Sequence, residues 1–486
     1  MLPVMKEILM TTIPLTLRRR TRALLSSAFI LLSRSLLGAA YPDALIKDVP
    51  HVQQRADFCG EACVEMVLRK LGQPMDQNYV YNQSGLDPAL GRGCYTRELA
   101  AAMRKIGFKA GDVMNSVAAS NAVAGMESEW QALHADLLKG VPSIVCMHSA
   151  DGPEATEHFR LVLGYDAKSD EVIYHEPART PGAYLRMPRE RFMRLWPLKY
   201  EAARWTVIRL RAEPGAIASP APTTGFTPAD FAQHVMILKP KLPDATFSWL
   251  VQPPFVVVSD APTAALRRYS EGTVKWAVDK LKRDYFDKDP SDILDIWLFK
   301  DKTSYDENTL TLFNEAPDTP FGFYSDRHKA LIMNIATGGG TLVHEIVHPF
   351  MASNFPQCPA WLNEGLGSLY EQCEEKDGHI HGLTNWRLAG LQEAITAKTM
   401  PSIEKLVKTT TAEFYGKGSG VHYAEARYLC YYLQEKNLLA RFYRDFHAGA
   451  VSDPTGCGTL KKVLGQDDLS AFQKEWEAYV LKLRFP

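Results

Sequence analysis

Residues 338–365, GGGTLVHEIVHPFMASNFPQCPAWLNEG, carry the pattern from which the rest of the chain is read. The glycines Gly338, Gly339 and Gly340 break what precedes, and Thr341 is placed to cap. Leu342, Ile346, Val347 and Phe350 then supply one apolar face, so the spacing predicts a helix. On it His344 and His348 lie four apart and can point two imidazoles at one ion. Glu345 follows the first histidine and can reach water at that ion as a general base. Sixteen residues beyond His348, Glu364 is the natural third donor. Two histidines and one carboxylate suit one zinc ion per chain with an open coordination position. Met351 and Asn354 stand where a His-x-x-Gly-x-x-His continuation would need its glycine and third histidine, so that variant is excluded.

The segment HEIVH…PAWLNEGLGSLYE resembles the gluzincin metallopeptidases, in particular the peptidase MA-like branch, in which a Pro-x-Trp-Leu-Asn-Glu-Gly segment follows the zinc helix. The resemblance implies that His344, His348 and Glu364 bind zinc and that Glu345 is the catalytic base. Upstream, Phe255–Ser259 reads as a first strand, Ala264–Tyr285 as a long helix and Ile293–Leu298 as a second strand. Ala330–Ile335 reads as a further strand, which in zinc peptidases lies at the sheet edge along the cleft. There an extended polypeptide substrate can pair through its backbone. Beyond Glu364 the chain is mainly helical, and a helix from Val421 to about Lys436 presents Tyr423. Related enzymes use a Tyr or His at such a place to stabilise the oxyanion; Tyr423 is the candidate and His422 the reserve. His379 and His381 in DGHIHG read as solvated residues of a polar turn. Trp361 reads as the packing residue that holds the Glu364 helix, and Phe472–Leu483 as a closing amphipathic helix.

A second informative region spans residues 49–212. VPHVQQRADFCGEACVEMVLRKLG places Cys59-Gly60 at the start of a helix carrying Ala62, Cys63, Met66, Val67 and Leu71 and stopping at Gly72. A cysteine there has its thiolate favoured by the helix dipole and the free N–H groups. Gln53 and Gln54 lie just upstream, where a side-chain amide can donate to an oxyanion. GVPSIVCMHSADGPEATEHFRLVLGYDAKSDEVIYHEPA reads as three strands. A hairpin through Asp166–Asp170 can bring Glu176 beside His158 as an orienting carboxylate. These residues resemble the papain-like cysteine peptidases that process bacteriocin leaders, and their stand-alone relatives. By that resemblance Cys59 is the nucleophile, His158 the base and Gln54 (or Gln53) the oxyanion donor. Gly93-Cys94-Tyr95-Thr96 before a helix, then Ile106-Gly107-Phe108, fit the same order. One departure is Glu176 before Pro177, where the family has Asp. No GxxxxGK[ST] phosphate loop occurs, so leader export by a transporter is not carried over.

Composition is that of a globular protein, 46% hydrophobic and 23% charged with net charge −1, and no basic excess suggests nucleic acid. Residues 1–40 read as an export signal: Arg18, Arg19, Arg20 and Arg22, an apolar run Ala23–Leu32, and Gly38-Ala39-Ala40. Met5 or Met10 are alternative starts, and a mitochondrial-type or uncleaved membrane-anchoring segment is the rival reading. Removing this segment, with six basic residues and one acidic, brings the net charge to −6. No stable membrane span is expected after its removal. The expected location is secreted or periplasmic. The eight cysteines suit disulfides, and a Cys358–Cys373 bridge could brace Glu364. Residues 213–229, EPGAIASPAPTTGFTPA, read as a linker.

The sequence therefore predicts an α+β protein of two domains. The first, 45–212, is papain-like. The second, 230–486, is gluzincin-like, with a small mixed sheet, a zinc helix and a mainly helical C-terminal part. The expected function is zinc-dependent hydrolysis of peptide bonds. The alternatives are a thiol peptidase or amidase using Cys59 and His158 with a structural zinc site, and an inactive papain-like domain that captures peptides for the zinc domain.

Overall fold

The computed structural model describes residues 41–217 and 224–485; the candidate export segment lies outside the described residues. Contacts divide the chain into two units, one of residues to Gln53 with Lys109–Pro214, the other of Gln54–Phe108 with Gly215–Pro486.

Residues 54–108 form helices α1 (Cys59–Lys70), α2 (Gln77–Ser84) and α3 (Thr96–Ile106). Helix α1 buries Ala62, Cys63, Met66 and Val67 as the pattern predicts, but it ends at Lys70 and Leu71 turns outward. Two carboxylates fasten the loop before α3 to the start of α1. Asp57 Oδ2 accepts the Gly93 N–H at 2.9 Å and Glu61 Oε1 accepts the Cys94 N–H at 2.7 Å. Only glycine fits at 93, because a Cβ there would stand 1.9 Å from the Asp57 carbonyl oxygen. The second Glu61 oxygen and the Tyr81 hydroxyl are buried without partners.

The smaller unit is built on an antiparallel sheet. Its strands are β1 (Ala44–Leu45), β2 (Met114–Ala118), β3 (Ser143–His148), β4 (Glu157–Asp166), β5 (Glu171–His175), β6 (Leu185–Pro188) and β7 (Arg204–Arg211). The order is β2-β7-β3-β4-β5-β6, with β1 added to β4. The three strands expected from residues 140–177 are thus β3, β4 and β5. Helix α4 (Ala122–Leu138) covers the sheet with Trp130, Leu133 and Leu137, which pack among Val145, Val162, Tyr165 and Val207.

In the larger unit α5 (Pro228–Leu238) begins with a reciprocal cap between Thr227 and Asp230, so the linker read over 213–229 already turns helical at Pro228. A five-stranded sheet follows: β8 (Ser248–Gln252), β9 (Phe255–Ser259), β10 (Leu294–Phe299), β11 (Gly322–Ser325) and β12 (Ala330–Asn334), in the order β8-β9-β10-β12-β11. Strands β9, β10 and β12 are parallel to one another. Such strands are apolar on both faces because both are covered. Phe255, Val257, Ile296, Leu298, Leu331 and Met333 face one core; Val256, Val258, Trp297, Phe299 and Ile332 face the other.

Two expectations are corrected here. Phe255–Ser259 is not the first strand, since β8 precedes it in a tight antiparallel hairpin. Ala330–Asn334 is not the edge strand either: it lies inside the sheet, and the edge is β11, paired antiparallel to it. Four residues, Gly-Phe-Tyr-Ser, are too short a run to announce a strand by alternation. The long helix read over 264–285 is present from Thr263 to Asp284, with a π-helical turn at Ser270–Lys275 in its middle that contains Gly272.

Helix α6 (Gly340–Asn354) lies on the first core through Leu342, Ile346, Val347 and Phe350. It is followed by α7 (Ala360–Leu369), the hairpin β13 (Cys373–Lys376) with β14 (His379–Gly382), α8 (Arg387–Thr396) and α9 (Ser419–Glu435). The polar turn read at DGHIHG is therefore a hairpin, and its histidines are paired rather than merely solvated. His379 bonds Asp284, and His381 lies 3.2 Å from Glu435. Cys358 and Cys373 are both free thiols, so the bridge between them is not formed. No helix among the described residues is long and apolar enough to cross a membrane.

Candidate active site

Helix α6 starts from Gly339 rather than from a Thr341 cap, and Pro349 sits inside it directly after His348. Proline lacks an N–H, so the Glu345 carbonyl, one turn back, loses its helical partner. His344, Glu345 and His348 form the only group of three potential metal donors among the described residues. The two imidazole rings lie 4.9 Å apart at 70°.

Helix α7 brings Glu364 to them. Its Oε2 lies 3.1 Å from His344 Nε2 and 3.8 Å from His348 Nε2. Two glycines on α7 allow this approach. A Cβ at Gly365 would meet the Ala426 carbonyl and Cys430 Sγ on α9 at 3.0 Å, and one at Gly367 would stand 3.0 Å from the His344 ring. Trp361, fully buried, anchors α7 by donating from Nε1 to the Thr455 carbonyl at 3.1 Å.

The outer nitrogens of both histidines are fixed by acceptors. His344 Nδ1 donates to Glu371 Oε1 at 3.1 Å and His348 Nδ1 donates to Asn363 Oδ1 at 3.0 Å. Both rings therefore turn their Nε2 atoms inward, towards the Glu364 carboxylate. Two imidazoles and one carboxylate, each imidazole with an outer partner, suit a divalent zinc-like ion.

The electrostatics agree. Burial pushes the Glu364 carboxyl up, but both imidazoles and the Tyr415 hydroxyl outweigh it and hold it at about 2. Burial likewise opposes ionisation of Glu371, yet His344 and Arg387 hold it at about 2. His344 is pushed the other way: burial disfavours its charge, and hydrogen bonds to Glu364 and Glu371 raise it well above the usual imidazole range. Burial raises the Glu345 carboxyl, with the two histidines opposing. Glu345 Oε2 accepts the N–H of Tyr324, on edge strand β11, at 3.0 Å.

The phenol bonded to Glu364 is Tyr415, whose hydroxyl donates to Oε1 at 2.6 Å. Tyr423 flanks it, with ring centroids 6.3 Å apart, and His422 turns away to bond the Phe414 carbonyl. Burial and then the nearby Glu364 carboxylate push both tyrosine hydroxyls up. Tyr415 follows the single helical turn Thr411–Phe414 and bears no local signal. Glu371 did carry one: it lies seven residues, two helical turns, after Glu364.

In the smaller unit His158, near the start of β4, and Glu176, just after β5, come together. His158 Nε2 is 2.5 Å from Glu176 Oε1. The longer glutamate reaches the imidazole. Arg160, two residues on from His158 and so on the same strand face, donates from Nε to Glu176 Oε2 at 2.7 Å. The Ala178 N–H also donates to Glu176, at 3.1 Å. Burial opposes the charge, but His158 and Arg160 hold the Glu176 carboxyl at about 2. Gln53 accepts from the Thr180 hydroxyl at 2.8 Å. Gln54 and Cys59 belong to the larger unit: the Gln54 carbonyl oxygen is buried without a partner, and Cys59 opens α1, whose first turn has no side-chain cap.

Residues 46–204 match the model of the Peptidase_C39 like family. The N-terminal region is thus similar to C39-like, papain-like cysteine peptidases. Among solved structures, the chain is similar to the peptidase domain of Streptococcus ComA, a bifunctional ABC transporter involved in a quorum-sensing pathway. Identity is 21%, covering 34% of this chain and 99% of that one, with a TM-score of 0.23. No curated protein matches.

Proposed function

We propose that this protein is a zinc-dependent endopeptidase of gluzincin type, joined to a papain-like peptidase domain in its N-terminal region. The observation that carries the reading is the convergence of the His344 and His348 inner nitrogens on Glu364 while Glu371 and Asn363 fix the outer ones. His344, His348 and Glu364 would hold the ion. When bound it supplies Lewis acidity for a peptide carbonyl and acidifies water. Glu345, raised by burial and beside His348, takes the proton of the attacking water and returns it to the leaving amine nitrogen. Tyr415 holds the second oxygen of Glu364, and Tyr423 beside it is the donor for the developing oxyanion. Edge strand β11, whose Tyr324 N–H is taken by Glu345, would offer the rest of its outer backbone to an extended polypeptide. Glu345→Gln should keep zinc, by elemental analysis, and lose hydrolysis of an unfolded polypeptide; unchanged turnover refutes the assignment.

A second reading is favoured by the family match and by the His158–Glu176 pair. In it the N-terminal domain is a thiol hydrolase with Cys59 as nucleophile and His158 as base. Activity lost to a thiol alkylator and in Cys59→Ala, but kept in chelator, decides for it. The converse decides for zinc.

A further inference from the structure

We infer that Arg387 is a positioning residue of the metal site, acting through Glu371 on the imidazole of His344. The inference rests on the zinc reading. Glu371 is buried, and its two oxygens are not equivalent. Oε1 accepts from His344 Nδ1, while Oε2 takes the Asn385 amide at 3.1 Å. Arg387, the first residue of α8, grips both: Nε donates to Oε2 at 3.1 Å and Nη2 to Oε1 at 2.8 Å. A carboxylate held by one donor can swing about its own axis; a two-pronged guanidinium grip fixes its plane. That plane sets the direction from which Oε1 meets Nδ1, and so the aim of Nε2 at the metal. The same guanidinium lies over the Tyr423 ring at 5.2 Å and the Trp386 ring at 5.3 Å. One cation thus joins the outer partner of His344 to the aromatic wall beside Glu364. Lysine has no such fork.

The test uses the full chain, with Arg387→Met, Arg387→Lys, Glu371→Gln and the double variant Arg387→Met/Glu371→Gln. Zinc affinity is measured by chelator competition, and the visible spectrum of the cobalt-substituted protein reports coordination geometry. Arg387→Met should weaken zinc by ~10–100-fold and shift the cobalt bands, with Arg387→Lys between it and the parent. In the Glu371→Gln background the arginine change should add nothing further. Additive losses in the double variant, or a parent-like affinity and spectrum in Arg387→Met, overturn the inference. Should Arg387→Met not fold, Arg387→Lys set against Glu371→Gln carries the same comparison. A parent that binds no metal overturns the zinc reading itself, and is thereby distinguished from a metal-binding parent with indifferent variants.

Discussion

Replacing Glu61 by glutamine should reverse the sign of a stability difference between mildly acidic and mildly alkaline solution. Burial drives the Glu61 carboxyl up from an ordinary 4.5 to about 7, against the pull of its bond from Cys94. The folded chain therefore holds the proton more tightly than the unfolded chain. Stability is unaffected by this group below pH 4.5, falls as pH rises from 4.5 to 7, and carries the full penalty above 7. At ~1.4 kcal/mol for each tenfold in proton affinity the penalty is about 3 kcal/mol, and about 2–3 kcal/mol of it develops between pH 5 and 8. Glutamine keeps an oxygen for the Cys94 N–H but places an amide where the partnerless oxygen now lies, at a cost of ~1–3 kcal/mol. The variant should be less stable than the parent at pH 5 and more stable at pH 8. The groups facing Glu61 are Asp57, the Cys94 thiol and Tyr81, and burial raises the last two well out of this range. Hydrogen exchange of the α1 amides against urea concentration reads the opening energy of this segment alone. Parallel pH profiles for parent and variant would refute the reasoning.

Tyr415→Phe removes the bond to Glu364 Oε1 and should weaken zinc by ~10-fold, whereas Tyr423→Phe should leave zinc affinity unchanged and lower kcat; chelator competition with steady-state kinetics separates them. Arg160→Met should raise the Glu176 carboxyl from about 2. Because that value lies below the ordinary one, the contribution of Glu176 to stability is full above pH 4.5 and fades as pH falls towards 2. The variant should lose it at higher pH, in carboxyl titration by NMR.

What was legible in the sequence was whatever is local. The helix that carries His344 and His348 follows from an apolar face and a four-residue histidine spacing, and Cys59 opens α1 because a turn precedes it. The His158–Glu176 pair follows from a hairpin whose length sets its register. The edge strand was misplaced because β11 owes its existence to β12 rather than to any alternation of its own. Tyr415 and Arg387 escaped for another reason. Tyr415 comes to Glu364 from 51 residues further along the chain and Arg387 reaches Glu371 across the β13–β14 hairpin, and neither lies in a motif. Helix α5 was hidden by the alanine and proline of the linker, although its Thr-Pro-Ala-Asp start is a regular cap.

The association of residues 54–108 with the later part of the chain bears on synthesis. Helix α2 is held to α5 by Asn78 to Asp230 at 3.0 Å and by the Ala229 N–H to Asn82 at 2.9 Å, and the Trp249 indole closes on the Ala89 carbonyl at 2.7 Å. On the ribosome, α1 to α3 emerge well over a hundred residues before these partners. At ~5–20 residues per second they wait many seconds with that face open to solvent. Translation speed across residues 110–250, and holdase chaperones acting in that interval, therefore become determinants of yield, and a shortened chain ending at residue 212 would inherit the same open face permanently.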